Sequence, residues 1–194
     1  VAPTHVKASS GVLNLLREHG GLREGHTSFR NGRHGNGWIE KGALFRDPGL
    51  LDAVAEQQAQ HLLRHFPDAE LLVGASQCGA VLASFVARRA ELPVAFTTEG
   101  AAGLAFHRMH RPEPGLRTVY VDDLIATGAD ARAHAAFLRA AGFSFLGASA
   151  WVSGCSTLPF ALATLDEAPH GLYEADACPL CARGEPLAWQ DVRE

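Results

Sequence analysis

Apolar positions along this chain fall into short blocks of strand length separated by helix-like stretches. Residues 70–73, 94–97, 119–121 and 143–152 read as strands, and residues 79–89 and 131–141 as the helices that follow two of them. Strand and helix in alternation predict a mostly parallel sheet flanked by helices, an α/β fold. Upstream, residues 10–19 form a short amphipathic helix with Leu13 and Leu16 on one side and Gly20-Gly21 as its stop. Asp47-Pro48 opens a second helix, Asp as N-cap and Pro at the first position, which runs to about residue 66 before Pro67. Residues 25–45 are rich in Gly, Arg and His, carry aromatics at Phe29, Trp38 and Phe45, and lack a helical period. They are expected to be strands and loops forming a small lid. Residues 158–194 mix a short helical stretch with a Pro-rich tail and receive no firm assignment.

The length of 194 residues suits a single domain, 1–194, with a sizeable core, and no repeat or low-complexity tract interrupts it. A net charge of −4 gives no electrostatic footprint for nucleic acid, and nothing approaches the ~20 apolar residues of a membrane span. Residues 1–5 lack the basic-then-apolar layout of a secretory signal, so a cytoplasmic chain with a small-molecule partner is expected. The cysteines, Cys78, Cys155, Cys178 and Cys181, are too few and too uneven for a disulfide scaffold, so reduced thiols are expected. Cys178-Pro-Leu-Cys181 has the spacing of half a zinc site. A closed site needs four ligands, and without a second such pair the remainder falls to His170 and Cys155; the alternative is a plain turn.

The chemistry concentrates in Val119-Tyr-Val-Asp-Asp-Leu-Ile-Ala-Thr-Gly-Ala-Asp130, where an apolar strand ends in two adjacent carboxylates and a Thr-Gly loop opens a helix. Small residues at Thr127, Gly128 and Ala129 let a phosphate approach the N–H groups of the helix start. Asp122 and Asp123 are placed to accept hydrogen bonds from ribose hydroxyls. One strand–helix unit earlier, Gly74-Ala-Ser-Gln-Cys-Gly79 offers a second backbone cradle at a helix start, suited to an anion such as pyrophosphate.

These two loops resemble the phosphoribosyl pyrophosphate (PRPP) sites of the type I phosphoribosyltransferases, and the chain as a whole is similar to the orotate phosphoribosyltransferases from about residue 20 onward. Thr27-Ser-Phe-Arg-Asn-Gly-Arg-His34 followed by Trp38-Ile-Glu-Lys41 resembles that family's N-terminal hood. Tyr173-Glu-Ala-Asp-Ala-Cys-Pro-Leu-Cys-Ala-Arg-Gly-Glu-Pro-Leu187 resembles the C-terminal signature of one of its bacterial and archaeal branches.

The resemblance implies the type I phosphoribosyltransferase fold, with a hood drawn mainly from residues 20–45 and part of the tail. It implies a homodimer whose mobile loops reach the neighbouring site, and Mg2+ held mainly by PRPP with no direct protein ligand. It places Asp122 and Asp123 on the ribose, Ala126, Thr127, Gly128, Ala129 and Asp130 around the 5′-phosphate, and Ala75, Ser76, Gln77, Cys78 and Gly79 on the pyrophosphate. Arg30 would stand near the base, with Trp38 and Ile39 beside the pyrimidine.

Departures from the family pattern fall on charge. Ala126 replaces a Thr, and Asp130 puts a carboxylate at the phosphate-facing helix start, where it would cap the N–H groups and repel the ligand. The loop of residues 97–111 contains no lysine, which leaves His107 and Arg108, with His110 and Arg111, as the catalytic cations for departing pyrophosphate. Trp151-Val-Ser-Gly-Cys-Ser156 carries no arginine where the family usually holds the orotate carboxylate. Orotate transfer is the expected activity; another nucleobase, or PRPP binding for regulation without turnover, are the other readings.

Overall fold

A computed structural model describes residues 11–75, 77–101, 103–155 and 157–192. Helix α1 (Val12–Glu18) leads into a hairpin of β1 (Leu22–Phe29) and β2 (Arg33–Ile39), followed by the single turn α2 (Gly42–Phe45). Helix α3 (Pro48–His65) starts where Asp47 and Pro48 require, since the Asp47 carboxylate accepts from the N–H groups of Gly49 and Leu50.

The strand–helix units follow as expected: β3 (Leu71–Ala75), α4 (Cys78–Ala90), β4 (Val94–Gly100) with the added edge strand β5 (Gly103–Phe106), β6 (Arg117–Val121), the two-residue β7 (Leu124–Ile125), α5 (Ala129–Ala140) and β8 (Ser144–Ala150). The short β9 (Val152–Ser153) pairs with β7, and β10 (Ala161–Thr164) closes the far edge of the main sheet. That six-stranded sheet has the order β10-β8-β6-β3-β4-β5 and is parallel except at β5.

Both faces of the sheet are covered, which explains why its strands read as continuous apolar runs. Leu72, Val119 and Val121 pack with Val54, Leu62, Leu82 and Val86 of α3 and α4, whereas Val73 and Tyr120, one residue out of phase, join the clusters containing Leu138 and Ala131 of α5. Gly74 allows β3 and α4 to touch: a Cβ there would lie 2.5 Å from the Gly79 carbonyl oxygen and 2.7 Å from the Ala83 Cβ. This contact fixes where the loop between them stands.

The tail has no firm assignment from its residue pattern. It supplies β11 (Leu172–Glu174), the one-turn helix α6 (Pro179–Ala182) and β12 (Trp189–Val192), and both strands return to the first hairpin. The result is a second, four-stranded sheet of order β11-β2-β1-β12. Strands of three or four residues with half-exposed side chains carry no hydrophobic period, so their signal is weak in the sequence. None of the helices in the described residues is long and apolar enough to cross a membrane.

Gly74→Ala is expected to destabilise the protein by about 1–3 kcal/mol through overpacking against α4, seen as a fall of several degrees in Tm. Gly100→Ala, whose added Cβ meets nothing within 4 Å, should leave Tm nearly unchanged. Equal melting of the two variants would show that β3 and α4 are not in this contact.

Candidate active site

A cleft of ≈ 490 Å³ lies where the carboxyl ends of β3, β4 and β6 meet the second sheet. Such crevices form at the ends of parallel strands because the following loops diverge to either face. On its inner side stand Asp122 and Asp123, Ala75, Gln77, Cys78 and Gly79 of the β3–α4 loop, and Ala126 to Asp130 of the loop leading into α5. Trp38, Ile39 and Lys41 come from the hood side, together with residues 168–172. The position assigned to Ser76 lies outside the described residues.

Asp123 is buried and Asp122 half-buried, and both carboxylates are tightly wired. Asp122 accepts from the Tyr120 hydroxyl at 2.6 Å and from the Asp123 N–H at 2.9 Å, and its backbone carbonyl accepts from Gln58 Nε2 at 3.3 Å. Asp123, 1% exposed, holds an ion pair with Lys41 Nζ at 2.8 Å through Oδ1, while its Oδ2 is buried with no hydrogen-bond partner among the described residues. Burial, and for Asp122 also the neighbouring Asp123 charge, raises both carboxyls above the ordinary range. At Lys41 burial acts downward but is outweighed by Asp123, Asp122 and Cys78, so the ammonium is held above its usual value. Burial also pushes the Cys78 thiol up, against the pull of Lys41.

The phosphate-type loop is braced from both ends. Gly128 takes the left-handed conformation, φ 76°, as N-cap of α5, and Thr127 Oγ1 accepts from the Ala129 N–H at 3.3 Å. Arg132 donates to the Thr127 carbonyl at 2.9 Å and to the Thr157 carbonyl at 3.2 Å, placing a guanidinium beside the loop. Buried His134 donates through Nδ1 to the Asp130 carbonyl (2.8 Å) and accepts at Nε2 from the Thr97 hydroxyl (2.8 Å), with its ring stacked on Tyr120 at 4.4 Å. Burial holds His134 below its ordinary value, in keeping with this neutral tautomer.

Of the three residues expected at a base, Trp38 and Ile39 line the cleft, whereas Arg30 is exposed at the rim of the hood sheet and donates from Nε to the Asp191 carbonyl at 3.1 Å. Arg30 follows the last residue of β1, in the turn to β2, where its backbone N–H donates to the Val192 carbonyl of the tail. His107 and Arg108 are exposed beyond β5 and do not line the cleft of their own chain. Asp130 lines it, but among the described residues its carboxylate bonds none of the loop N–H groups; Thr127 has that role. The expected capping by Asp130 is therefore corrected, and its charge remains.

Three groups have no role at the cleft in the sequence reading, where His170 is considered only as a zinc ligand. Lys41 stands in the sequence only as the end of the Trp38-Ile-Glu-Lys41 motif, and its pairing with Asp123 spans 82 positions. Arg132 lay within a helix of ordinary composition. His170 lines the cleft with both ring nitrogens buried and without hydrogen-bond partners, like the nearby indole N–H of Trp38. Burial lowers the His170 pKa, partly opposed by Glu24.

No family model matches the chain. An orotate phosphoribosyltransferase of Thermus thermophilus is 33% identical to it over 184 residues, 91% of this chain and 97% of that protein. The crystal structure of the orotate phosphoribosyltransferase from Aeropyrum pernix superposes with a TM-score of 0.70 at 18% identity, covering 80% of this chain and 93% of that one. A crystal structure of adenine phosphoribosyltransferase gives a TM-score of 0.65 at 19% identity, over 81% and 100%. At such identities the two structures establish the shared fold, the type I phosphoribosyltransferase fold.

Because both carboxyls are raised, their contribution to stability is full below the ordinary carboxylate range and is lost as pH rises through their folded values. Removing the lysine lifts Asp123 further and deepens that loss. Lys41→Met is expected to cost roughly 1–3 kcal/mol near pH 8, below the ~3–5 of a fully buried pair because Lys41 is 31% exposed, and clearly less near pH 5. Thermal melts across that range test it, and a deficit independent of pH would contradict the ion-pair assignment.

Proposed function

The chain belongs to the orotate phosphoribosyltransferase family, and from that premise we propose that it transfers the phosphoribosyl group of PRPP to orotate, giving orotidine 5′-monophosphate and pyrophosphate. The observation that carries this reading is the meeting of two helix-start loops and an adjacent acidic pair around one cleft. The β3–α4 loop and the loop before α5 offer backbone donors for two separate phosphate groups, and the acids between them suit the ribose hydroxyls. We read residues 1–194 as one domain of a cytoplasmic enzyme.

The reaction is displacement at the ribose C1 through an oxocarbenium-like transition state, so positioning and electrostatics supply most of the catalysis and no protein nucleophile is required. Asp122 and Asp123 fix the ribose. Lys41, the one lysine among the described residues, is the cation inside the cleft; once ribose hydroxyls satisfy Asp123, its ammonium can turn toward the departing pyrophosphate. The donor set fits Mg2+ carried in by the substrate, since carboxylates of Asp122, Asp123 and Glu99 line the cleft and Asp123 Oδ2 is unpartnered. Bound there, the ion would neutralise charge on the leaving pyrophosphate.

Trp38, Ile39 and His170 form the base end. The indole N–H and the ring nitrogens of His170 are buried without hydrogen-bond partners among the described residues, which suits a base rich in carbonyl oxygens. Arg30 lies off the cleft, so the orotate carboxylate would be met by these groups in its place. The position of His107, Arg108 and the 72% exposed Met109 beyond β5 supports a homodimer in which this segment serves the neighbouring cleft.

A second base class is favoured by one observation, the likeness of the fold to adenine phosphoribosyltransferase. Assay of pyrophosphate release from PRPP with Mg2+ across orotate, uracil, adenine, guanine and xanthine decides it. Turnover with orotate is expected; turnover with a purine alone would reassign the base, and binding of PRPP without any turnover would make the chain a sensor.

Asp122→Asn and Asp123→Asn should each weaken PRPP binding about ten- to a hundred-fold, the worth of one charge-assisted hydrogen bond. Unchanged titration in both folded variants would show the pair has another role. Asp130→Thr should tighten PRPP about two- to five-fold by removing a like charge from the helix start. Calorimetry at matched salt checks this, and equal or weaker binding would mean that the carboxylate points away from the phosphate.

A further inference from the structure

Away from the cleft, on the hood sheet, four side chains from distant parts of the sequence converge. His26 of β1, His34 of β2, Cys178 and Cys181 each direct one ligand atom to a common point, all four atoms lying within 4.8 Å of one another. His26 Nε2 stands 3.0 Å from His34 Nδ1, 3.6 Å from Cys178 Sγ and 3.5 Å from Cys181 Sγ, and His34 Nδ1 is 3.2 Å from Cys181 Sγ. Tetrahedral zinc, with Zn–N about 2.0–2.1 Å and Zn–S about 2.3 Å, requires edges of about 3.3 Å between nitrogens and about 3.5 Å between nitrogen and sulfur. The observed spacings sit around those values.

Hydrogen bonding alone does not account for the cluster. His26 Nδ1 is 2.7 Å from the Glu185 carbonyl oxygen, which can only accept, so Nδ1 carries the proton and Nε2 presents a single lone pair. Three groups crowd that one lone pair. A cation between them engages all four ligand atoms at once, and the Glu185 contact is the outer-shell support that metal-bound histidines have. His26 and Cys178 are buried at 3% and 2%, His34 is half-buried and Cys181 is exposed, so the site has a protected floor and one open side for metal entry.

We propose that His26, His34, Cys178 and Cys181 bind one structural Zn2+ ion that fastens the C-terminal tail to the hood. Neither Cys155, which contacts Arg132 and the Thr157 carbonyl, nor His170, which lines the cleft, takes part; the histidines that complete the Cys-x-x-Cys pair come from the β1–β2 hairpin. The four ligands fill a tetrahedral shell, which marks the ion as structural, without an open position for substrate. Their close approach suits a single ion and leaves no room for a two-metal cluster between the cysteine and histidine pairs.

The fold explains why an ion is useful there. The hood sheet joins the β1–β2 hairpin to strands some 150 positions later, as in Thr27 opposite Trp189, and few large apolar side chains are buried in it. A metal cross-link supplies what such a small sheet lacks in core. The same β2 carries Gly37, Trp38 and Ile39 into the cleft, so the ion also holds one cleft wall in register. The metal assignment does not depend on the reaction proposed above.

The test uses the full chain purified under reducing conditions without chelator. Elemental analysis should find about one zinc per chain, and the cobalt-exchanged protein should show the thiolate charge-transfer and intense visible bands of a tetrahedral S2N2 site. Cys181→Ser, at the exposed ligand, should weaken zinc at least about a hundred-fold in chelator competition, and His34→Gln similarly. Chelation should lower Tm of the parent protein and leave Tm of Cys181→Ser unmoved. Zinc below stoichiometry that cannot be restored with tight affinity, iron in its place, a Cys178–Cys181 disulfide, or zinc retained undiminished in both variants would each overturn the proposal. None of these readings uses PRPP or a base, so failure here is separate from failure of the transferase reading.

Discussion

Two adjacent carboxylates at the end of β6, Asp123 buried and Asp122 half-buried, set the terms for the surrounding structure. Placing Asp122 and Asp123 side by side away from water is unfavourable unless their oxygens are satisfied, and each has its own remedy. Tyr120 and the Asp123 N–H serve Asp122, while Lys41 serves Asp123. Tyr120 is itself positioned by stacking on His134, which ties α5 to β4 through Thr97. Lys41 is positioned by the turn between β2 and α3, so the hood and the sheet meet at one ion pair. Asp123 Oδ2 is the acceptor left over, and a ligand with hydroxyl donors would complete the arrangement.

The second sheet gives the cleft its other wall. Because β11 and β12 flank the first hairpin, the chain must return its tail across the molecule before Trp38, Ile39 and His170 face the acidic pair. The indole of Trp38 packs edge-on against Trp189 of β12, which couples the base end of the cleft to the last described strand. A tail of short strands is a weak anchor by itself, and the four-ligand cluster beside it is where a metal would strengthen it.

Legibility in the sequence followed the range of each signal. The strand, acidic pair, glycine loop and helix of residues 119–140 lie together, and their apolar run, small residues and helix formers were readable in place. So were the Asp47-Pro48 helix start and the β3–α4 loop. Contacts between distant residues were not: Lys41 with Asp123, the tail strands with the hairpin, and His26 and His34 with the two tail cysteines leave no local period. Two isolated histidines in polar strands look like surface residues until the tail is laid beside them. Arg30 shows the opposite failure. Its motif and charge suit a base contact, but β1 ends at Phe29 and Arg30 is held on the carbonyls of Asp191 and Val192, a contact with the distant tail that composition does not carry.

That the acidic pair receives the ribose of PRPP can be tested through protons. Burial and the Asp123 charge raise Asp122 well above the ordinary carboxylate range, so in mildly acidic solution part of the pair is protonated before ligand binds and must ionise to accept ribose hydroxyls. Calorimetric titration of PRPP with Mg2+ at about pH 6, in buffers of differing protonation enthalpy, measures the protons exchanged. The difference between the parent protein and Asp122→Asn cancels the titration of PRPP itself. Net proton release by the parent that is lost in the variant is expected; identical proton exchange in both would contradict a ribose site at this pair.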